Sequence, residues 1–173
     1  IKSMNEWKIE HLMSIFLPRR KDYDKKEFIK KKNILELNNT LPKFFLDKDK
    51  KKYCFAWIVN CNPSETIFLR NRNEVLNASM TKKIKLIDHS IFIKNYQNMA
   101  RIDLMIKDGS LMVGGVSIVL TEIGLEIGKY IGRKEYLGRG IAKAATISLL
   151  NFFDKEFVST ELYSKTQKNI FVN

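Results

Sequence analysis

Short apolar runs of strand length alternate along the chain with longer segments whose apolar residues recur at helical spacing. The run YCFAWIVN, residues 53–60, is apolar almost throughout and predicts a strand buried on both faces. Asn62 and Pro63 then predict a helix start, because asparagine caps unpaired N–H groups and proline fits the first helical position. The segment LIDHSIFIKNYQ predicts a second short helix, with Asp88 as its N-cap.

The middle of the chain has the pattern of a strand meander followed by a helix. Asp108-Gly109 separates two apolar runs and predicts a hairpin, because glycine supplies the positive φ that such turns need. The run LEIGKYIG, residues 125–132, predicts a third strand, and apolar residues at helical spacing predict a helix after Gly140. Residues 159–166 predict a last strand. This order predicts an α/β domain with a mixed, mostly antiparallel central sheet flanked by helices.

The first 52 residues differ in composition from the rest of the chain. Residues 1–52 are dense in charge and predict a basic helical N-terminal extension to a domain over residues 53–173. Apolar spacing predicts helices over residues 6–16 and between Pro18 and Pro42. The sequence leaves the extension open as an arm packed on the domain, a homodimerisation element or the tail of a fused upstream unit. We expect the C-terminal end of the domain to be incomplete.

The composition favours anionic partners. Lysine and arginine number 31 against 19 aspartates and glutamates, a net charge of +12. Nucleic acid, an anionic membrane surface or a phosphorylated small molecule would suit this charge, and many lysines simply being solvated is the alternative. No apolar run approaches the roughly 20 residues of a membrane span, and the N-terminus does not resemble a signal peptide. We therefore expect a cytoplasmic protein.

Cysteine and histidine are scarce. Cys54 and Cys61 are expected to be reduced and structural. His11 and His89 are too few for a zinc centre or a Ser-His-Asp triad, so no metal is expected. Each histidine is expected to be a surface or partly buried side chain rather than a catalyst.

The segment EIGKYIGRKEYLGRGIAKAATISLL, residues 126–150, places Gly138 and Gly140 where an apolar helix begins. Glycine in a helix costs about 1 kcal/mol, so this pair calls for a reason. A strand that leads through a glycine turn into a helix N-terminus forms an anion site, because the first-turn N–H groups are unpaired and the helix dipole is positive there. The turn has neither the Walker A nor the Rossmann glycine pattern.

This turn resembles the acetyl-CoA loop of the GCN5-related N-acetyltransferase (GNAT) superfamily, which carries a Q/R-x-x-G-x-G/A signature. The matching segment runs from Leu137 to Ala142, and Leu137 departs from the usual Gln or Arg. GLEIGKYI resembles the family's fourth strand, and LRNRNEVLNAS and IKLIDHSIFIKNY resemble the first two helices of one branch. That branch holds ribosomal-protein N-terminal acetyltransferases and acetyltransferases of nucleotide-linked amino sugars. The resemblance covers roughly residues 53–173 and implies a GNAT fold.

The resemblance implies acetyl-CoA as co-substrate and direct attack by an amine, with no metal. It places the pyrophosphate on the backbone of Leu137, Gly138, Arg139, Gly140, Ile141 and Ala142. Backbone groups of Lys129, Tyr130 and Ile131 would hold the pantetheine arm, as would Asn169, which matches a family asparagine.

Glu126 is the candidate general base, with Glu122 as a weaker alternative. Leu125 and Ile127 flank Glu126 and are expected to desolvate it partly, which would raise its pKa. Arg70 is interpreted either as an acceptor-binding residue or as a surface partner of Glu74. The general acid is not assigned.

The implied function is N-acetyl transfer from acetyl-CoA to a primary amine, with a nucleotide-linked amino sugar as the expected acceptor. A protein N-terminal amine is the alternative acceptor. A basic nucleic-acid-binding module without catalysis is an alternative of another class, although the basic segment contains no recognisable nucleic-acid-binding motif.

Overall fold

Among the described residues, five strands form one sheet in chain order, and every neighbouring pair is antiparallel. The strands are β1 (Phe44–Leu46), β2 (Lys52–Trp57), β3 (Arg101–Asp108), β4 (Leu111–Thr121) and β5 (Gly124–Ile131). The predicted strand at residues 53–60 and the predicted meander are therefore confirmed, with the first apolar run turning into a 3-10 helix after β2.

The structure is a computed structural model and describes residues 24–72, 75–76, 82–122 and 124–158. The predicted helix over residues 6–16, the predicted strand over residues 159–166 and Asn169 lie outside the described residues. The α/β class is confirmed, and the sheet of the described part is antiparallel rather than mixed.

The part of the chain that the structure describes also contains the α-helices α1 (Lys25–Leu37), α2 (Pro63–Arg70), α3 (Leu86–Asn95) and α4 (Ile141–Phe153). A single π-helical turn extends α4. Within the described ranges, no helix combines the length and the apolar character that crossing a bilayer requires.

Local signals set most of the element boundaries. The Asn62 side chain accepts hydrogen bonds from the N–H groups of Ser64 (2.9 Å) and Glu65 (3.2 Å), which confirms it as the N-cap of α2. The prediction for Asp88 was wrong, because α3 begins at Leu86 with Lys85 as its N-cap. Asp88 instead lies in the first turn, where its carboxylate accepts the Lys85 N–H at 3.4 Å.

The hairpin predicted at Asp108-Gly109 is also confirmed. Asp108 pairs with Leu111, and Gly109 adopts a φ of 60°. Adding a Cβ there would meet nothing within 4 Å, so the turn needs glycine for its backbone conformation rather than for space.

Two elements of the predicted extension pack against the remainder of the structure. Helix α1 buries Phe28, Lys32 and Leu35, and Phe28 stacks on Phe157 with ring centroids 4.9 Å apart. Strand β1 pairs with β2 and carries buried Phe45. Among the roles left open for residues 1–52, packing on the domain is thus observed for these elements. The boundary at residue 52 itself stays a prediction.

Candidate functional site

A cavity of about 470 Å³ lies between one face of the sheet and the helices α2 and α3. Its floor comes from β3, β4 and β5, whose facing residues align across the sheet in register. Its roof is lined by Thr66, Ile67 and Arg70 of α2 and by Asp88, His89 and Phe92 of α3. A volume of this size is within the range of about 300–1,000 Å³ typical of small-molecule sites.

The first row of the floor places Arg101, Val119 and Glu126 side by side. Arg101 donates two hydrogen bonds to Asp103, from Nε to Oδ2 and from Nη2 to Oδ1, each 2.6 Å long. Its guanidinium also lies 5.0 Å from the centre of the Phe92 ring. Burial opposes the Arg101 charge, but the hydrogen bonds that Arg101 donates to Asp103 and the charges of Asp103 and Glu126 raise its pKa above the ordinary value. Arg101 is thus a fixed cation on the floor.

Glu126, the predicted general base, lines this cavity. Its side chain is exposed, so the partial desolvation expected from its apolar neighbours Leu125 and Ile127 was wrong. The reason is the period of two along a strand: those neighbours point to the opposite face of β5 and do not cover the carboxylate. Glu126 nevertheless faces a cavity wide enough for an amine-bearing ligand.

The remaining rows of the floor depend on glycine. Met105, Gly115 and Tyr130 align in one row, and a Cβ on Gly115 would lie 2.9 Å from the Tyr130 ring. The absence of a side chain at Gly115 therefore lets the ring lie flat over β4. The Tyr130 hydroxyl donates to Met105 Sδ at 3.9 Å, and the Arg70 guanidinium carbon lies 5.2 Å from the ring centre. Burial raises the pKa of Tyr130 far above its usual range, so the phenol stays neutral.

His89 contributes the least expected group. Its side chain is only 6% exposed, and Nε2 has no hydrogen-bond partner among the described residues. Burial lowers its pKa, so the ring is neutral at pH 7. An unpaired buried polar group costs about 1–3 kcal/mol, which makes its position in the cavity wall informative. The expectation that His89 is a surface or partly buried side chain was therefore wrong.

The outer edge of β5 is unpaired in the part of the chain that the structure describes. The Gly132 N–H donates to the Val113 carbonyl at 2.9 Å, which fixes the hydrogen-bonded pairs of the β4–β5 ladder. Hydrogen-bonded and non-hydrogen-bonded pairs alternate along an antiparallel ladder. The N–H groups of Lys129 and Ile131 therefore face the free edge, whereas that of Tyr130 faces β4. The N–H groups of Lys129 and Ile131 are thus oriented away from β4, and the pantetheine-binding role of these two residues stays a prediction. Tyr130 presents its side chain to the cavity instead.

Beyond β5 the chain makes the turn that the sequence singled out. Gly138 and Gly140 have φ values of 75° and 73°, so both need the left-handed conformation that glycine adopts without strain. A Cβ on Gly138 would meet nothing within 4 Å, and one on Gly140 would meet only Lys48 Cδ at 3.9 Å. The turn is therefore open to a ligand.

Backbone N–H groups are concentrated at this turn. The Leu137 N–H donates to the Lys134 carbonyl at 3.2 Å, and the Ala144 N–H donates to the Gly140 carbonyl at 3.0 Å. Between these bonds, no acceptor among the described residues is recorded for the N–H groups of Gly138, Arg139, Gly140, Ile141 and Ala142. They precede and begin α4, whose dipole adds positive potential.

Charged side chains surround the same turn. The Arg139 guanidinium carbon lies 4.9 Å from the centre of the Tyr136 ring. Asp108 accepts hydrogen bonds from Tyr136 (2.7 Å) and Lys51 (3.0 Å), which hold the pKa of its carboxyl below the ordinary value. Tyr136 therefore links the turn to the β3–β4 hairpin. Lys48 and Arg139 add positive charge beside the exposed N–H groups.

Sequence reasoning missed two features of this site. The Arg101–Asp103 pair has a visible signal, because residues two apart on a strand share a face. His89 has none, since its burial depends on the packing of α3 against the sheet. Cys54 and Cys61 are free thiols, as predicted. No cluster of three or more metal-ligating side chains occurs in the ranges that the structure describes.

Neither the protein-family models nor the curated proteins include a match to this chain. Its function is therefore argued from the residues and their geometry.

Proposed function

We propose that this protein is an acetyl-CoA-dependent N-acetyltransferase of GNAT fold that acts on a primary amine. One observation carries the proposal: the edge of β5 that is unpaired among the described residues is followed, after a 3-10 turn at Lys134–Tyr136, by an open glycine turn at the start of α4. The cavity that contains Glu126 lies against the face of the same strand. A phosphate site, an extended hydrogen-bonding edge and a carboxylate-bearing cavity are thus adjacent.

The turn would hold the pyrophosphate of acetyl-CoA. Five consecutive N–H groups there suit oxyanions, and Lys48 and Arg139 supply positive charge nearby. Leu137 stands where the family usually has Gln or Arg. This difference would not prevent pyrophosphate binding, because the binding uses main-chain donors. The pantetheine amides would then pair with the free N–H and C=O groups of Lys129 and Ile131.

The reaction needs no covalent enzyme intermediate. A neutral amine attacks the thioester carbonyl, the new C–N bond forms, and the C–S bond breaks. The attacking nitrogen loses one proton, which Glu126 is placed to accept and pass to solvent, and the departing CoA thiolate takes up one proton. An N–H group at the free edge of β5 would stabilise the developing oxyanion.

The cavity favours a small acceptor over a polypeptide. Its volume of about 470 Å³ matches a single small ligand. We therefore keep a small amine, such as a nucleotide-linked amino sugar, ahead of a protein N-terminus as the proposed acceptor.

Isothermal titration with acetyl-CoA tests the proposal. We expect micromolar binding by the wild type and loss of binding in Gly140→Glu, which would place a carboxylate beside the pyrophosphate. Gly140→Gln is the matched control, because both variants strain a residue at φ 73° and only one adds charge. Gly140→Gln should bind acetyl-CoA at least about tenfold more tightly than Gly140→Glu. A wild type that does not bind acetyl-CoA at about 1 mM would refute the proposal.

A further inference from the structure

The cavity wall contains a polar group that the proposed chemistry does not use. His89 lines the cavity, and its buried Nε2 has no partner among the described residues. Its ring stacks on Phe92 with centroids 6.1 Å apart, so it is fixed in place by packing. Phenylalanine or leucine would fill this position without an unpaired nitrogen. The nitrogen is therefore best explained by a ligand that pairs with it.

The charges around the cavity restrict what that ligand can be. Five charged side chains line it, two positive (Arg70 and Arg101) and three negative (Asp88, Asp103 and Glu126), whereas Lys129 projects from the other face of β5, as Leu125 and Ile127 do. Arg101 and Asp103 are moreover bound to each other through two hydrogen bonds. The lining thus has no positive surplus that would select an anionic group inside the cavity. His89 is itself uncharged at neutral pH, since burial lowers its pKa.

We infer that His89 is a specificity-determining residue, and that the acceptor amine carries a neutral hydrogen-bonding group, a hydroxyl or an amide, that pairs with His89 Nε2. The inference rests on the proposed function and names the chemical class of its acceptor. Glu126 on the floor receives the amine end, and His89 in the roof receives the neutral polar end.

Matched amines test this inference. The probes are trans-2- and trans-4-aminocyclohexanol, compared with cyclohexylamine, which has the same ring and amine but no hydroxyl. We expect the wild type to acetylate at least one amino alcohol with a kcat/KM about five- to tenfold above that of cyclohexylamine, the effect of one added hydrogen bond. His89→Phe should bring this ratio close to one, because it keeps the ring and removes the nitrogen. His89→Gln should restore part of the preference.

Two measurements separate the possible failures. Acetyl-CoA affinity should be equal in the wild type and in His89→Phe, which shows that the variant is folded and that the cofactor site is unaffected. If no amine is acetylated, saturation-transfer NMR reports binding of the same probes directly. A His89-dependent preference for the amino alcohol would then support the cavity inference while the proposed function fails. Equal ratios in the wild type and His89→Phe, or no binding of any probe, would overturn the inference.

Discussion

Lys32 provides the sharpest test of the fold, because a lysine with no exposed surface must affect stability as a function of pH. Its Nζ donates to the carbonyl oxygens of Tyr96 (2.6 Å) and Met99 and lies 4.3 Å from the centre of the Tyr96 ring. These bonds tie α1 to the segment that follows α3. Burial lowers the pKa of Lys32 from 10.5 to about 8, although the charges of Glu36 and Asp103 oppose the shift.

The direction of the pH dependence follows from this shift. Between about pH 8 and pH 10.5 the unfolded chain holds the Lys32 proton while the folded chain has released it. Unfolding therefore takes up a proton, and the contribution of Lys32 to stability rises with pH across this window. Below pH 8 both states are protonated, and the cost of burying the charge is fully present. From pH 7.5 to 9.5 this contribution should increase by about 2 kcal/mol.

Urea unfolding of the wild type and Lys32→Met at pH 7.5, 8.5 and 9.5 measures this effect. Subtracting the two curves removes the titration of other groups, such as Cys61 and Tyr96. Lys30→Met is the control, because it removes the same charge from an exposed position on the same helix. Between pH 7.5 and 9.5, we expect the free energy of unfolding of Lys32→Met to decrease by about 2 kcal/mol relative to that of the wild type. The difference between Lys30→Met and the wild type should not change with pH. Parallel curves for Lys32→Met would refute the reasoning.

Three further predictions concern the site and its support. Gly115→Ala should destabilise the fold by about 1–3 kcal/mol in urea unfolding and weaken turnover, because a methyl group would collide with the Tyr130 ring at 2.9 Å. Glu126→Gln should lower kcat about a hundredfold and leave acetyl-CoA affinity unchanged in titration, and unchanged kcat would exclude Glu126 as the base. Tyr96→Phe should cost about 1–3 kcal/mol of unfolding free energy, because the buried Asp103 N–H donates to the Tyr96 hydroxyl at 2.7 Å; a cost near zero would show that the N–H finds another partner.

Elements encoded by local chemistry were predictable from the sequence. The Asn62 cap, the Asp108-Gly109 hairpin and the glycine turn before α4 each follow from a few adjacent residues. The contacts that complete the structure are not local. In the sequence, nothing distinguishes Lys32 from the other lysines of its segment, but its hydrogen-bond partners lie 64 and 67 residues away. No periodicity in α1 can reveal a partner at that distance.

The same limit applies to the candidate site. The turn was predictable, because its glycines, the preceding strand and the following helix are contiguous. The cavity was predictable only in part, because its floor joins three strands and its roof two helices, and the position of His89 depends on all five. Glu126 shows the consequence: its flanking residues suggested burial, whereas the strand turns them to the other face and leaves the carboxylate exposed.

The distribution of charge connects the two halves of the proposed site. The chain carries a net charge of +12, yet the charged side chains that line the cavity are not positive in sum, because Asp88, Asp103 and Glu126 outnumber Arg70 and Arg101. Beside the turn, in contrast, Lys48 and Arg139 accompany exposed N–H groups at a helix N-terminus. An anionic cofactor is therefore attracted to the turn and not to the cavity, so its phosphates do not compete with the acceptor. This separation would let acetyl-CoA bind from the edge of β5 while a small polar amine enters beneath α2 and α3.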